Sequence, residues 1–239
     1  MKIGVAQTKP FKGDIEKNII AHTKLIELAA SHGAALIVFP ELSITGYEPM
    51  LAKSLAIDNN DARFEIFQTL SNAQQISICV GVPTKYDIGI CISMLIFQPN
   101  KTRKVYSKKH LHPDEEAFFV SGVNIDFIEV ENIKISFAIC YELSIAQHSE
   151  NAFQNGANIY IASVAKTANG VEKAHKTLSE IAKKHESWVL MANCVGFCDD
   201  FESTGNSAIW NKNGTLLTKM DNKNEGILII DTKTEQIIQ

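Results

Sequence analysis

Several things are scarce in this chain of 239 residues, and each scarcity excludes a class of protein. No apolar run approaches the roughly 18 residues of a membrane-spanning helix, so no membrane partner is expected. Neither charge sign dominates: 23 Lys and Arg against 27 Asp and Glu leave a net charge of −4. That balance gives no electrostatic reason to expect nucleic acid as a partner. There are only five cysteines, an odd count without the spacing of a disulfide framework, as expected of reduced thiols in a cytoplasmic protein. Cys194 and Cys198 have three residues between them, not the two of a redox or zinc CxxC pair. The N-terminal Met1–Gln7 meets a polar residue too early for a secretory leader. No Gly-, Ser- or Pro-rich linker, low-complexity tract or charge block interrupts the chain, so residues 1–239 read as one domain.

What is present is the grammar of an α/β fold. With 45% hydrophobic and 21% charged residues the composition is that of an ordinary globular protein. Lys2–Gln7 reads as a strand, followed by a Pro10/Gly13 turn and a helix capped by Asp14. Ile15, Ile19, Ile26 and Ala29 fall at helical spacing, and Gly33 stands where a left-handed residue ends the helix. The unbroken apolar run Ala35–Phe39 reads as a strand covered on both faces. A second such unit follows: a helix over 145–155, a stop at Asn155-Gly156, then the apolar run Ile159–Ala162. Ser31-His32-Gly33-Ala34 and Gln154-Asn155-Gly156-Ala157 occupy matching places, which suggests an internal pseudo-repeat. A third helix is expected from about Val171 to Glu186, leading into a strand at Trp188–Ala192. Further strand-rich stretches lie at Ile76–Val82, Ile90–Phe97, Lys134–Ile139, Ser207–Trp210 and Gly226–Ile230. This is more strand than one parallel sheet needs, and two sheets covered by helices would accommodate it.

Three places put reactive side chains at strand ends, where ligands of α/β folds gather. In Phe39-Pro40-Glu41 the carboxylate sits at the lip of an apolar strand, where desolvation raises its pKa toward that of a general base. The stretch Tyr106-Ser107-Lys108-Lys109-His110-Leu111-His112-Pro113-Asp114-Glu115-Glu116 has the composition of a solvated loop and lacks metal-ligand spacing. A lysine held there beside a carboxylate and a thiol would supply positive charge to a thiolate or an oxyanion. In Ile139-Cys140-Tyr141-Glu142 a cysteine stands at a strand-to-helix turn, near backbone N–H groups that favour negative charge. The other four cysteines lie in apolar, strand-like stretches where a thiol packs as a small hydrophobe.

Taken together, these residues resemble the nitrilase, or carbon–nitrogen hydrolase, superfamily. The resemblance runs from Ile3–Gln7 to Gly226–Leu228. It rests on Phe39-Pro40-Glu41 with Gly46-Tyr47, on Tyr106–Leu111, on Ile139–Glu142, and then on Gly156-Ala157, Ala192-Asn193 and Thr204-Gly205-Asn206-Ser207. It implies a Glu-Lys-Cys triad of Glu41, Lys108 and Cys140, with the family's Lys-x-His-Leu pattern selecting Lys108 over Lys109. A fourth acid maps to Glu115, with Glu116 as the alternative register. The implied fold is a four-layer αββα sandwich, paired into an eight-layer homodimer. The implied reaction is hydrolysis of a non-peptide carbon–nitrogen bond through a cysteine thioester, needing no metal or organic cofactor. Ser144, Ala146 and Gln147 depart from the residues that often follow the cysteine in amidase relatives, and Ala182–Ser187 only partly keeps a familiar helix motif.

The substrate class expected from the resemblance is a small linear amide, carboxylated amides included. Nitrile or N-carbamoyl hydrolysis by the same triad is the alternative, and a non-catalytic binding member of the fold is another. A papain-like Cys–His enzyme would need His148 beside Cys140. The pocket is expected from loops at 47–55, 113–119 and 165–170, with Tyr47, Phe118, Tyr141, Ser163 and Lys166 as candidate lining. Lys166 is open between recognition of a substrate carboxylate and a solvent-facing role.

Overall fold

The computed structural model describes residues 1–123, 125 and 127–239. Two sheets carry the architecture. The first is built from β1 (Lys2–Gln7), β2 (Leu36–Val38), β3 (Ser77–Tyr86), β4 (Gly89–Phe97), β5 (Lys104–Ser107), β14 (Gly226–Asp231) and β15 (Ile237–Ile238), in the order β15-β14-β1-β2-β3-β4-β5. The second holds β6 (Ile128–Val130), β7 (Ile133–Ile139), β8 (Ile159–Val164), β9 (Trp188–Asn193), β12 (Ala208–Trp210) and β13 (Leu216–Lys219), in the order β13-β12-β9-β8-β7-β6. A separate hairpin pairs β10 (Val195–Cys198) with β11 (Phe201–Thr204). Helices α1 (Ile15–Ser31), α2 (Ala52–Leu55) and α3 (Glu65–Gln74) precede β3, while α4 (Ala146–Gln154) and α5 (Ala168–Lys184) flank β8. No helix of the described residues is long and apolar enough to cross a membrane.

The two-residue period of strands sorts the side chains into layers. Ile3, Val5, Leu36, Val38 and Met94 of the first sheet share one core with Ile135, Phe137, Ile139, Ile161 and Leu190 of the second. The alternate residues of the first sheet, among them Ile37, Ile78, Val80 and Leu95, pack with Ile26 and Ala29 of α1 and Phe67 of α3. Those of the second, including Tyr160, Ala162, Val189 and Met191, pack with Val171, Ala174, Leu178 and Ile181 of α5 and Ala152 of α4. The result is the expected αββα sandwich. Strands buried on both faces explain why these segments read as apolar runs without alternation.

The pseudo-repeat is real in three dimensions. β1 and β2 pair in parallel around α1, and β7 and β8 pair in parallel around α4. Ala35 N–H donates to Lys2 O and Asn158 N–H to Lys134 O, both at 2.8 Å. Gly33 and Gly156 take φ of +75° and +92°, so each ends its unit in the left-handed region open to glycine. One expected boundary moves: α5 begins at Ala168, ahead of Val171, because Thr167 caps it by accepting from Gly170 N–H at 3.2 Å. The sequence reading did not find α3, which ends without glycine at Gln75, itself at φ +54°.

Candidate active site

The C-terminal ends of β2, β5 and β7 deliver Glu41, Lys108 and Cys140 to one place. β2 stops at Val38, and the Pro40–Thr45 turn folds back over β3. Leu42 adopts φ +50° in that turn, and Ser43 N–H donates to Pro40 O at 3.1 Å. The turn lies so close to β3 that a Cβ on Gly81 would stand 2.4 Å from Leu42 N and 2.5 Å from Pro40 O. Only glycine fits there, a requirement set by a neighbour some forty residues away and hence not visible along the chain. The Lys108 backbone is pinned on both sides: its N–H donates to Ile92 O of β4 and its carbonyl accepts from Gly122 N–H, both at 2.8 Å.

These anchors bring the Lys108 ammonium 2.8 Å from Glu41 Oε1 and 2.7 Å from Glu115 Oε1, with all three side chains buried. Glu115 also accepts from Tyr47 Oη at 2.9 Å and, through Oε2, from His112 N–H at 2.7 Å. Glu116 is exposed, so the structure selects Glu115 of the two registers. Lys109 is likewise exposed, leaving Lys108 as the lysine of the cluster. Desolvation alone would lower the Lys108 pKa, but the charges of Glu41 and Glu115 outweigh it and hold the ammonium protonated. Burial raises the Glu41 pKa above its ordinary value, against the pull of Lys108. Glu41 Oε2 is buried without an N–H or O–H partner among the described residues, and the carboxylate lies close enough to Cys140 for each to bear on the other's titration.

Cys140 opens a short 3-10 turn, Cys140–Ser144, directly after β7 and adopts φ +45°. A non-glycine residue in this region marks a sharp, strained turn of the kind found at functional sites. Its thiol faces Ala165 O at 3.8 Å and is pushed up to about 11, first by burial and then by the Glu41 charge. The resting group is therefore a thiol. The turn is held by Glu142, which the motif contains but whose role has no signal along the chain. Glu142 Oε2 accepts from Ile139 N–H at 2.9 Å and from Tyr106 Oη at 2.6 Å, and Oε1 accepts from Lys109 N–H at 2.7 Å. One buried carboxylate thus ties the residue before Cys140 to the residue after Lys108.

His148 is not a partner of Cys140. Its Nε2 meets Tyr106 Oη at 3.0 Å and its Nδ1 meets Tyr160 Oη at 2.9 Å, so both ring nitrogens are engaged behind the turn. Of the expected pocket residues, Tyr47, Tyr141 and Lys166 line one cavity of about 240 Å³ with Cys140, Glu115 and Phe201. Phe118 does not. The 115–119 turn, with Phe119 N–H donating to Glu115 O, buries Glu115 and Phe119 and points Phe118 outward into a neighbouring groove with Met50 and Tyr86. Ser163 also stands apart from the cavity: it is buried and donates to Phe39 O at 2.8 Å, a bond between the two sheets. Phe201, which the sequence reading missed, reaches the cavity from the β10–β11 hairpin and meets Tyr47 edge-on at 5.5 Å.

Comparison with known proteins identifies the family and the fold. The profile of the carbon-nitrogen hydrolase family matches residues 2–239. The chain is 24% identical over 246 residues to the "hydrolase in agr operon" of Staphylococcus aureus, covering 100% of this chain and 94% of that one. It is 25% identical over 220 residues to the 2-oxoglutaramate amidase of Bacillus subtilis (strain 168), covering 90% and 84%. A mutant of the amidase from Nesterenkonia sp. AN1 in complex with butyramide shares the fold at a TM-score of 0.88, with 19% identity over 98% of this chain and 92% of that one.

Glu142→Gln tests the turn. Both Glu142 oxygens accept from donors, so an amide nitrogen in either place faces an N–H or O–H group. Leaving such a buried donor unpaired costs about 1–3 kcal/mol. Urea unfolding should show a lower midpoint at unchanged m, and an unchanged midpoint would remove Glu142 from this role. With the family profile matching residues 2–239 and the fold in agreement, the chain belongs to the carbon–nitrogen hydrolase family of enzymes.

Proposed function

We propose that this chain hydrolyses the carbon–nitrogen bond of a small linear amide, with Cys140 as nucleophile and Glu41 as its base. The observation that supports this reading is Glu41 Oε2, buried beside the thiol and without an N–H or O–H partner among the described residues, while Lys108 holds the other oxygen. Free cysteine is only a few per cent thiolate at neutral pH, so an adjacent base raises the reactive fraction. Glu41 takes the thiol proton as sulfur attacks the amide carbon, and a tetrahedral oxyanion forms.

Lys108 has three N–H donors and spends two on Glu41 and Glu115, leaving one for that oxyanion. The N–H of Tyr141, at the start of the 3-10 turn, is the second donor in this proposal. Loss of one such donor costs about 3–4 kcal/mol in a well-studied case. Glu41 returns its proton to the departing ammonia or amine, which leaves a thioester on Cys140. Water then attacks the thioester, giving its proton to Glu41, and the acid departs with the thiol restored. Glu115 positions Lys108 and, in this reading, the attacking water. The chain acts as a homodimer in the same proposal, and light scattering that gives 26.4 kDa at micromolar concentration would overturn that part.

Ammonia release across a panel of amides, nitriles and N-carbamoyl compounds tests the reaction. An aliphatic amide should be the best substrate, with no release from Cys140→Ala and a fall of about 10²–10⁴-fold for Glu41→Gln. A nitrile or carbamoyl compound turned over in preference would replace the amide reading.

The pH profile is a second test. Glu41 must be ionised to accept the proton, and its pKa is raised from 4.5. Activity is therefore lost as pH falls through a value above 4.5, and an acid limb at or below 4.5 would argue against Glu41 as base.

A further inference from the structure

Lys166 is a cation in the catalytic cavity without a resident counter-ion among the described residues. It follows β8 and is fixed at the backbone from several sides. Its N–H donates to Asn193 Oδ1 at 3.0 Å, and its carbonyl accepts from Thr204 N–H at 3.1 Å and from Ser203 Oγ at 3.1 Å. Asn193 is itself held by Ser207 and Gly205, so the base of the lysine is as well anchored as the catalytic side chains. The first carbons of its side chain rest beside Gly170 in the opening turn of α5, and the side chain borders the same cavity as Cys140.

No carboxylate among the described residues lies within ion-pair distance of Lys166. The two acids bordering the cavity are already engaged: Glu115 by Lys108, Tyr47 and His112 N–H, and Asp114 by His112. The reacting groups bring two carboxylates, Glu41 and Glu115, and one ammonium, Lys108. With Cys140 a neutral thiol, their sum is −1, which by itself repels an anionic substrate. Lys166 cancels that charge from the open side of the cavity. Its charge also bears on the thiol, opposing the upward shift of Cys140. Tyr47, Tyr141 and Phe201 supply carbon-rich walls around the same space. A cavity with a nucleophile at its floor, aromatic walls and one unpaired cation suits a short aliphatic chain with an amide at one end and an anion at the other.

From this arrangement we infer that Lys166 is a specificity-determining residue and that the substrate is an aliphatic amide bearing a carboxylate distal to the scissile bond. The inference rests on the amidase reading given above. Charge assistance from Lys166 acts on the part of the substrate that does not react, so it acts in binding and orientation. The transfer itself stays with Cys140, Glu41 and Lys108.

The test uses isosteric pairs in which a methyl group replaces the carboxylate: succinamate against butyramide, and glutaramate against valeramide. Wild type should favour the carboxylated member by about tenfold or more in kcat/KM. Lys166→Met should collapse that preference, chiefly through KM, and Lys166→Arg should retain most of it. Added salt should weaken the preference in wild type and leave Lys166→Met indifferent. Equal use of both members by wild type overturns the inference while leaving the amidase reading standing. So does an equal loss on both members in Lys166→Met, which would make Lys166 an activator of the thiol. Absence of turnover on every amide overturns the amidase reading instead. Calorimetry on Cys140→Ala then decides for Lys166: succinamate binding that Lys166→Met abolishes supports it, and equal binding of succinamate and butyramide, or none of succinamate, overturns it.

Discussion

A lysine ammonium cut off from water persists only where negative charge encloses it, and Lys108 imposes that condition on this fold. Its side chain is fully buried and touches carboxylate oxygens of Glu41, after β2, and of Glu115, further along its own loop after β5. Desolvating such ions costs several kcal/mol each, and removal of one partner leaves an uncompensated charge at about 3–5 kcal/mol. The strand ends must therefore arrive together or the cluster is worse than an apolar core. Surface ion pairs such as Lys85 with Asp58 impose nothing comparable, because water screens them and the side chains are free to part.

The rest of the framework reads as the means of meeting that condition. Gly81 lets the Glu41 turn lie flat against β3, and Glu142 locks the Cys140 turn to the Lys108 segment. Ser163 bonds β8 to Phe39 O, so the two sheets are fastened at the edge where Glu41 emerges. His22, buried and pushed down to about 3 by desolvation, stays neutral and meets Ser43 Oγ at 2.9 Å, holding the same turn from the helix layer. Each of these contacts joins segments from different parts of the chain. Local propensity contributes little to them; the interlayer packing brings the groups within reach, and the polar contacts then fix their angles.

That division explains what could be read from the sequence. Glu41 and Cys140 were legible because each follows an apolar strand, and strand ends are marked by a change from apolar to polar residues; Lys108, in a stretch with the composition of a loop, was singled out from Lys109 only by the resemblance's Lys-x-His-Leu pattern. Two sheets covered by helices were legible for a similar reason, since unbroken apolar runs separated by helical periods require cover on both faces; the four-layer order itself came from the family resemblance. Glu115 and Glu116 could not be told apart from composition, since a one-residue step in a turn decides which acid points inward. Phe118 was misplaced by the same step, an aromatic beside the site but facing away. Ser163 sits at the right strand end, yet its hydroxyl serves the inter-sheet contact. Gly81 and Glu142 carried no local signal of their roles, because a close approach and a set of convergent N–H donors exist only after the sheets have packed.

The thiol shows how the same enclosure shapes reactivity. Burial raises both Cys79 and Cys140, but Cys79 has desolvation alone as its cause, whereas Cys140 has a carboxylate beside it and the opposing pull of Lys166 and Lys108. Were those cations stronger in effect, the resting state would be a thiolate, as in cysteine sites paired with an imidazolium. Here Glu41 disfavours that separation of charge, since a thiolate beside an ionised carboxylate is penalised in a poorly hydrated site. The low-energy resting arrangement is a thiol facing an ionised carboxylate whose other oxygen is tied to Lys108. In the proposed reaction the sulfur becomes anionic only as the proton crosses to Glu41 and the amide carbon accepts the electron pair. At that moment Glu41 is neutral, and Lys108 is freed to turn its charge toward the new oxyanion. The buried ammonium that organises the fold then serves both states, partnering carboxylates at rest and the developing oxygen charge during attack.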